Sequence, residues 1–339
     1  MRAEPWLAAS IAFLVTLAVT PLLARWLRAR QMLDWPDERR SHTLPTPRGG
    51  GLAMLLGFAL ALLANPEQRL ALLPLLLLTL IVATLGWLED RHELPVRARL
   101  LAMLGFAGGL VAYFGPITQV ALFELLMPWA WLWTGLGVIA VVWLINLHNF
   151  MDGSDGLAAM QGAWSAGLLG WLLYQAGAVA VGLSGLALAG ACVGFLCWNR
   201  PPARLFMGDV GSLMIGGLVG LLAYAGAAKG LVSIWLSLMI CSVFVVDATA
   251  TLLRRVRTEG QWYTPHREHA YQRLIGAGWS HAQVLGLYAS VNLVLVLPLV
   301  VLVHRRPFWE GPTVIFLLVI LLVGWAAVQR YTAMESRTA

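Results

Sequence analysis

Long apolar runs alternate with short polar segments along the whole chain. Eleven runs approach the ~20 apolar residues that a helix needs to cross a bilayer. They cover about 6–27, 49–65, 70–88, 98–115, 129–147, 157–176, 178–198, 210–228, 231–253, 282–303 and 311–329. The pattern predicts an all-α polytopic membrane protein of about 11 transmembrane helices. No connection is long enough to hold a soluble domain, so residues 1–339 read as a single integral-membrane domain. Residues 116–128 form a short apolar excursion at the interface. The N-terminus lacks the short apolar core and small-residue cleavage site of a signal peptide, so Trp6–Leu27 reads as the first span.

Composition supports this class. Hydrophobic residues make up 59% and charged residues 12% of the chain, against roughly 25% charged in soluble domains. The 16 Trp suit interfacial belts. Cys192, Cys197 and Cys241 all fall within apolar runs and read as buried small hydrophobes, not a disulfide frame. The net charge of +6 raises nucleic acid as a partner, but the basic residues lie in the connections between spans, where they set topology. All but Arg2, Arg69, Lys229, Arg305 and Arg306 fall on the side reached after the first span. That side is cytoplasmic by the positive-inside rule, which puts the N-terminus outside.

The polar chemistry shares this asymmetry. The connections 30–48, 89–97, 148–156, 199–209 and 254–281 carry unusual polar sequence, whereas those on the opposite face are short and bland. A transporter would place such groups near the bilayer midplane, often within internal repeats. No repeat is visible, and the groups gather at one surface. An enzyme with its active site at the cytoplasmic face is the better reading.

Each connection has its own chemistry. In the first, Arg39, His42 and Arg48 can bind phosphate and Gly49–Gly51 allow close backbone approach, although an ordinary basic loop would look similar. In the second, Glu89 and Asp90 are adjacent acids, which repel unless a cation relieves them or water solvates both. In the third, N-L-H-N-F-M-D-G-S-D-G-L, Asn149, Asp152 and Asp155 share a face if the segment is helical. Hard oxygen ligands of this kind suit Mg²⁺, which keeps waters and takes few protein groups. A plain turn is the alternative.

In the fourth, F-M-G-D-V-G-S, Asp209 can hold a metal or cap a helix, and Phe206 can stack on a nucleobase or anchor the interface. In the fifth, His266, Arg267, His269 and Arg273 are spaced to project from one short helix toward a diphosphate, or toward lipid headgroups. Zinc is a poor fit there, because no third matching ligand lies nearby. Asp247 is the lone acid within a span, and Arg254 two turns on is its expected partner.

Together the five connections resemble the polyprenyl-phosphate N-acetylhexosamine-1-phosphate transferase family, which includes the WecA, WbpL and MraY types. The resemblance runs from Asp34 to about Leu274. It rests on D-x-P-x-x-R-x-x-H-x-x-P-T-P-R-G-G-G, G-W-L-E-D-R, N-x-x-N-x-x-D-G-x-D-G-L and F-M-G-D-x-G-S, in order on one face. The last connection, H-R-E-H-A-Y-Q-R-L, lacks the run of His of the peptidoglycan enzyme and looks like the WbpL type. Glu89 stands where the family usually has Asp.

The resemblance implies Mg²⁺ (or Mn²⁺) held by Asn149 and Asp209, with Asp152 and Asp155 beside the nucleotide. It implies Glu89 and Asp90 facing the lipid phosphate, and His42, Thr46 and Arg48 meeting phosphate or lipid. Phe206 remains a base-stacking candidate, and His266, Arg267 and His269 would clamp the diphosphate or sugar. Glu89, Asp90, Asp209 and His269 form the expected catalytic set. The implied reaction passes an N-acetylated amino-sugar 1-phosphate (GlcNAc, FucNAc or QuiNAc type) from a UDP-sugar to undecaprenyl phosphate, with UMP leaving. The product would initiate O-antigen or another cell-surface polysaccharide at the bacterial inner membrane. The implied partners are the UDP-N-acetyl amino sugar, undecaprenyl phosphate and membrane lipids, with a homodimer as an option and no nucleic acid. The competing readings are a lipid or solute transporter and a peptidoglycan phospho-MurNAc-pentapeptide transferase. A CDP-alcohol phosphotransferase is disfavoured, because Leu157–Met160 after Asp155-Gly156 contains no Arg.

Overall fold

The computed structural model describes residues 5–35, 45–92, 94–122, 125–258 and 267–338. All eleven apolar runs form helices, and a short one in the last connection, α10, makes thirteen α-helices among the described residues: α1 (Pro5–Ala29), α2 (Gly51–Leu63), α3 (Arg69–Arg91), α4 (Val96–Phe114), α5 (Ala130–Phe150), α6 (Leu157–Gln175), α7 (Val179–Asn199), α8 (Gly208–Ala228), α9 (Ile234–Thr258), α10 (Ala270–Gly276), α11 (His281–Ser290), α12 (Leu297–Arg305) and α13 (Glu310–Thr338). Two small hairpins accompany them. One pairs β1 (Leu33–Asp34) with β2 (Thr46–Pro47), and the other pairs β3 (Val120–Leu122) with β4 (Leu125–Met127). The excursion at 116–128 therefore contains a hairpin.

Nine helical stretches among the described residues are long and apolar enough to cross a membrane. The run at 49–65 differs from expectation. Its helix, α2, has 13 residues, about 20 Å at 1.5 Å per residue, short of the ~30 Å hydrocarbon core. Gly49 and Gly50 are used in loop contacts ahead of it, and Asn65-Pro66 stops it. The run at 282–303 is not one regular helix either. A π-helical stretch, Val291–Val296, joins α11 to α12 just ahead of Pro298, which has no N–H for the helical ladder.

The bundle is built around α8, which is almost wholly buried. Lipid tails are as apolar as Leu, so close packing must hold helices together in a membrane. The run G-D-V-G-S-L-M-I-G-G-L-V-G supplies the small residues for that. A Cβ at Gly216 would lie 2.6 Å from the Ile145 Cα of α5, so only glycine lets these two backbones approach so closely. Polar side chains add interhelical bonds: Asn292 Nδ2 donates to Gln161 Oε1 at 2.7 Å, tying the π-helical stretch to α6. Cys192 and Cys241 are buried as expected, but Cys197 is exposed on the outer side of α7.

Candidate active site

The polar groups converge where α3, α5, α7 and α9 end and α2, α6 and α8 begin. The framework is backbone. Phe206 N–H donates to Pro47 O at 2.8 Å, and Phe206 O accepts the N–H groups of Gly49 and Gly50 at 3.1 and 2.9 Å. Gly51 N–H donates to Met207 O at 2.8 Å, and Arg48 bridges to Phe206 as a parallel pair. The first connection is thus zipped to the fourth. Such proximity needs glycine: a Cβ at Gly51 would lie 2.2 Å from Gly211 N. Gly208 has φ +73°, in the left-handed region, where its missing Cβ leaves room for Asp90 Oδ2.

Four expected site residues meet here. Asp90 Oδ1 and Oδ2 accept the N–H groups of Asp209 and Val210 at 3.0 and 3.2 Å, so an acid from α3 caps α8. Arg48 lies between the acids, with Nε 3.0 Å from Asp90 Oδ1 and Nη2 2.7 Å from Asp209 Oδ1. Asn149 Nδ2 donates to Asp209 Oδ1 at 2.9 Å and to Ser212 Oγ at 3.1 Å. Asp152 is close enough to feel Arg48, Asp209 and Asp90. Burial lowers the Arg48 pKa, but Asp209, Asp90 and Asp152 outweigh it, and the net direction is up. Burial holds the Asp152 carboxyl well above the usual carboxylate range; Arg48 opposes this, while Asp209, Asp90 and Asp155 add to it.

Other candidates are held apart from this cluster or take other partners. Asn149, Asp152 and Asp155 do not share a helix face, because α5 ends at Phe150 and Asp152 and Asp155 lie in the following turn. Asp155 is engaged structurally: its Oδ2 accepts Ala203 N–H at 2.9 Å and its own N–H donates to His281 Nδ1 at 3.1 Å. Glu89 and Asp90 sit in the last turn of α3, at the end of the span as expected, and face different partners. Glu89 Oε1 pairs with Arg99 Nη1 of α4 at 2.9 Å, away from the Arg48 cluster.

Asp247 does not pair with Arg254. It accepts Ala270 N–H at 2.8 Å and Tyr288 O–H at 2.6 Å, and so fixes the start of α10. Arg254 bonds Glu268 and Gln329 instead. His269 is buried at the start of α10, between Phe150 and Tyr271, with Nδ1 3.8 Å from Asp247 Oδ1. Arg267 is exposed, Phe206 is partly buried and Thr46 is buried in the hairpin with Asp34. His42 and His266 lie outside the described residues.

Several participants carried little sequence signal. Asn199 receives Gly156 N–H at 2.9 Å and donates to Leu205 O at 2.9 Å, which joins the third connection to the fourth. The N-R-P-P step after α7 was its only hint. His281 and Arg99 had none, since their partners lie 126 and 10 residues away.

The donor set suits a hydrated hard cation. Asp209 Oδ2, Asn149 Oδ1 and the Asp152 carboxylate make no hydrogen bond among the described residues. No cluster of three or more His, Cys, Asp or Glu there forms a closed protein cage. Mg²⁺ asks for no such cage, binding through one or two protein oxygens plus waters and phosphates.

Comparison with known proteins places this arrangement in a family. A family model for glycosyl transferase family 4 matches residues 72–227, from α3 to the end of α8. A probable undecaprenyl-phosphate N-acetylglucosaminyl 1-phosphate transferase of Bacillus subtilis is 28% identical, covering 92% of this chain and 88% of that protein. A decaprenyl-phosphate N-acetylglucosaminephosphotransferase of Mycolicibacterium smegmatis is 31% identical, covering 81% and 78%. A phospho-N-acetylmuramoyl-pentapeptide-transferase of Synechococcus is also 31% identical, covering 81% and 84%. With relatives 31% identical over 81% of a multi-pass helical bundle, the chain belongs to glycosyl transferase family 4, among the polyprenyl-phosphate sugar-1-phosphate transferases.

Proposed function

We propose that the chain transfers an N-acetylated amino-sugar 1-phosphate from a UDP-sugar to undecaprenyl phosphate at the cytoplasmic face of the bacterial inner membrane. An oxygen of the lipid phosphate attacks the sugar-bearing phosphorus, the bond to UMP breaks, and a lipid diphosphate sugar forms. The product starts O-antigen or a related surface polysaccharide. The observation that carries this reading is the meeting of Arg48, Asp90, Asn149 and Asp209 at the N-terminus of α8.

Nucleophile, electrophile and leaving group are all anionic, so their repulsion is the main obstacle. Asp209 and Asn149 would hold Mg²⁺, or Mn²⁺ in its place, and the ion would neutralise phosphoryl charge. Arg48 supplies a second positive charge from this chain. A phosphate monoester has its second pKa near ~6 and is largely ionised at neutral pH, so no general base is required. Asp90, spent on two backbone N–H groups and Arg48, is a positioning residue in this scheme. Asp152 lies on the nucleotide side.

The names of two relatives put UDP-N-acetylglucosamine first among donors. The last connection, with its WbpL-like sequence, keeps the 6-deoxy N-acetylfucosamine and N-acetylquinovosamine donors in the panel. The experiment incubates purified protein with undecaprenyl phosphate, Mg²⁺ and each UDP-sugar, and reads the lipid by mass spectrometry. A lipid diphosphate sugar from one of these donors supports the reading. Product only from UDP-N-acetylmuramoyl-pentapeptide would make it a peptidoglycan enzyme, and substrate movement with no covalent product would make it a transporter.

A further inference from the structure

The Arg48 guanidinium stands between two acids that would otherwise face each other. Its backbone is fixed. Arg48 N–H donates to Met32 O at 3.3 Å, the residue bridges Phe206, and the next two N–H groups bond Phe206 O. The side chain is less confined, 36% exposed against 9% for Asp90 and 17% for Asp209, so it reaches in from solvent over a nearly closed pair. Asp90 also accepts both N–H bonds from α8, one on each carboxylate oxygen. Among the described residues, Asp209 carries two donors on Oδ1 and none on Oδ2. One monocation also serves a third acid, Asp152, which has no hydrogen bond of its own among the described residues. A single positive charge thus stands against three acids.

We propose that Arg48 is a displaceable internal cation: it neutralises Asp209 and Asp90 while the site is empty, and a divalent ion arriving at Asp209 releases its guanidinium to an anionic phosphate of the substrate. This rests on the reading above that Asp209 holds a divalent ion. Donors that leave Asp209 Oδ1 become available to a phosphate, so metal and phosphate binding become coupled through a single side chain. The same exchange keeps the acids from being left unpaired between turnovers.

The test measures Mn²⁺ binding to purified full-length protein in detergent at pH 8, without nucleotide, for wild type, Arg48→Lys and Arg48→Met. Removing the competing cation should tighten Mn²⁺ binding about tenfold in Arg48→Met, with Arg48→Lys between it and wild type. Wild type that binds Mn²⁺ while Arg48→Met binds no tighter overturns the inference and leaves the metal reading standing. No Mn²⁺ binding by wild type or by Arg48→Met overturns the metal reading and the inference with it. A second measurement needs no variant. Phenylglyoxal modification of Arg48, read by peptide mass spectrometry, should speed up on adding Mg²⁺ and slow again on adding UMP to the Mg²⁺-loaded protein. A rate that Mg²⁺ alone leaves unchanged or lowers counts against the exchange.

Discussion

Asp90 Oδ1 accepts the backbone N–H of Asp209 at 3.0 Å, so the acid at the end of α3 fixes the helix that carries the other acid of the site. The Val210 N–H makes the companion bond to Oδ2 at 3.2 Å. The positive end of α8 and Arg48 both stabilise this carboxylate.

Asp90→Ala should therefore lower stability as well as activity. Two first-turn N–H groups lose their acceptor and Arg48 loses one partner, for a cost of about 1–3 kcal/mol. Asp90→Asn keeps one acceptor and should lose less. Thermal unfolding in detergent reads both, and a midpoint equal to wild type in Asp90→Ala would show that the cap does not hold the helix.

Asp209→Asn removes the charge that a divalent ion would meet at Oδ2. Mg²⁺-dependent UMP release should fall by about 10²-fold or more, with little change in unfolding midpoint, because the asparagine oxygen can still accept from Arg48. Near-normal turnover would take Asp209 out of the metal site.

Asp152 gives a pH dependence. Its carboxyl is held well above the usual range, first by burial and then by Asp209, Asp90 and Asp155, with Arg48 in opposition. In the unfolded chain it ionises near ~3.9. Between these values the folded protein holds a proton that the unfolded chain has released. Stability present at low pH is therefore lost as pH rises through the folded pKa, with a slope of up to ~1.4 kcal/mol per pH unit. Asp152→Asn should flatten the profile of unfolding midpoint against pH in that window. A variant with the wild-type slope would assign the dependence to another group.

Gly51→Ala tests the zipper of loops. The new Cβ would lie 2.2 Å from Gly211 N, which is backbone and cannot swing aside. We expect poor assembly of the bundle, read as loss of a monodisperse peak on gel filtration. Gly105→Ala, where a Cβ meets nothing within 4 Å, is the control.

Asp247→Ala leaves the Ala270 N–H and the Tyr288 O–H without their acceptor inside the bundle. The expected cost is about 1–3 kcal/mol for each group left unpaired. Tyr288→Phe removes one bond and should cost less. Equal midpoints for the two variants would mean that the Ala270 bond contributes nothing.

Much of this protein follows from its sequence by local rules. The length of the apolar runs marked eleven helical segments, because a helix satisfies its own backbone groups in a bilayer, although only nine stretches among the described residues are long and apolar enough to cross one. The basic bias of one face and the polar sequences of five connections marked one end of the bundle as the chemical end. Asp90, Asn149, Asp209 and Arg48 were legible because acids, amides and a lone arginine beside glycines are unusual at span ends. Local rules could not say which way each side chain turns. Glu89 and Asp90 are neighbours in sequence, yet about 100° of helical rotation sends one to Arg99 and the other to α8. Asp155 looked the same as Asp152 in the repeated Asp-Gly pattern, but only the tertiary structure brings Ala203 and His281 to it. The pairing of Asp247 with Ala270 and Tyr288, and the place of Arg48 between two acids, were likewise decided by packing. Those partners are distant in the chain, and no local rule relates them until α8 draws the helix ends together.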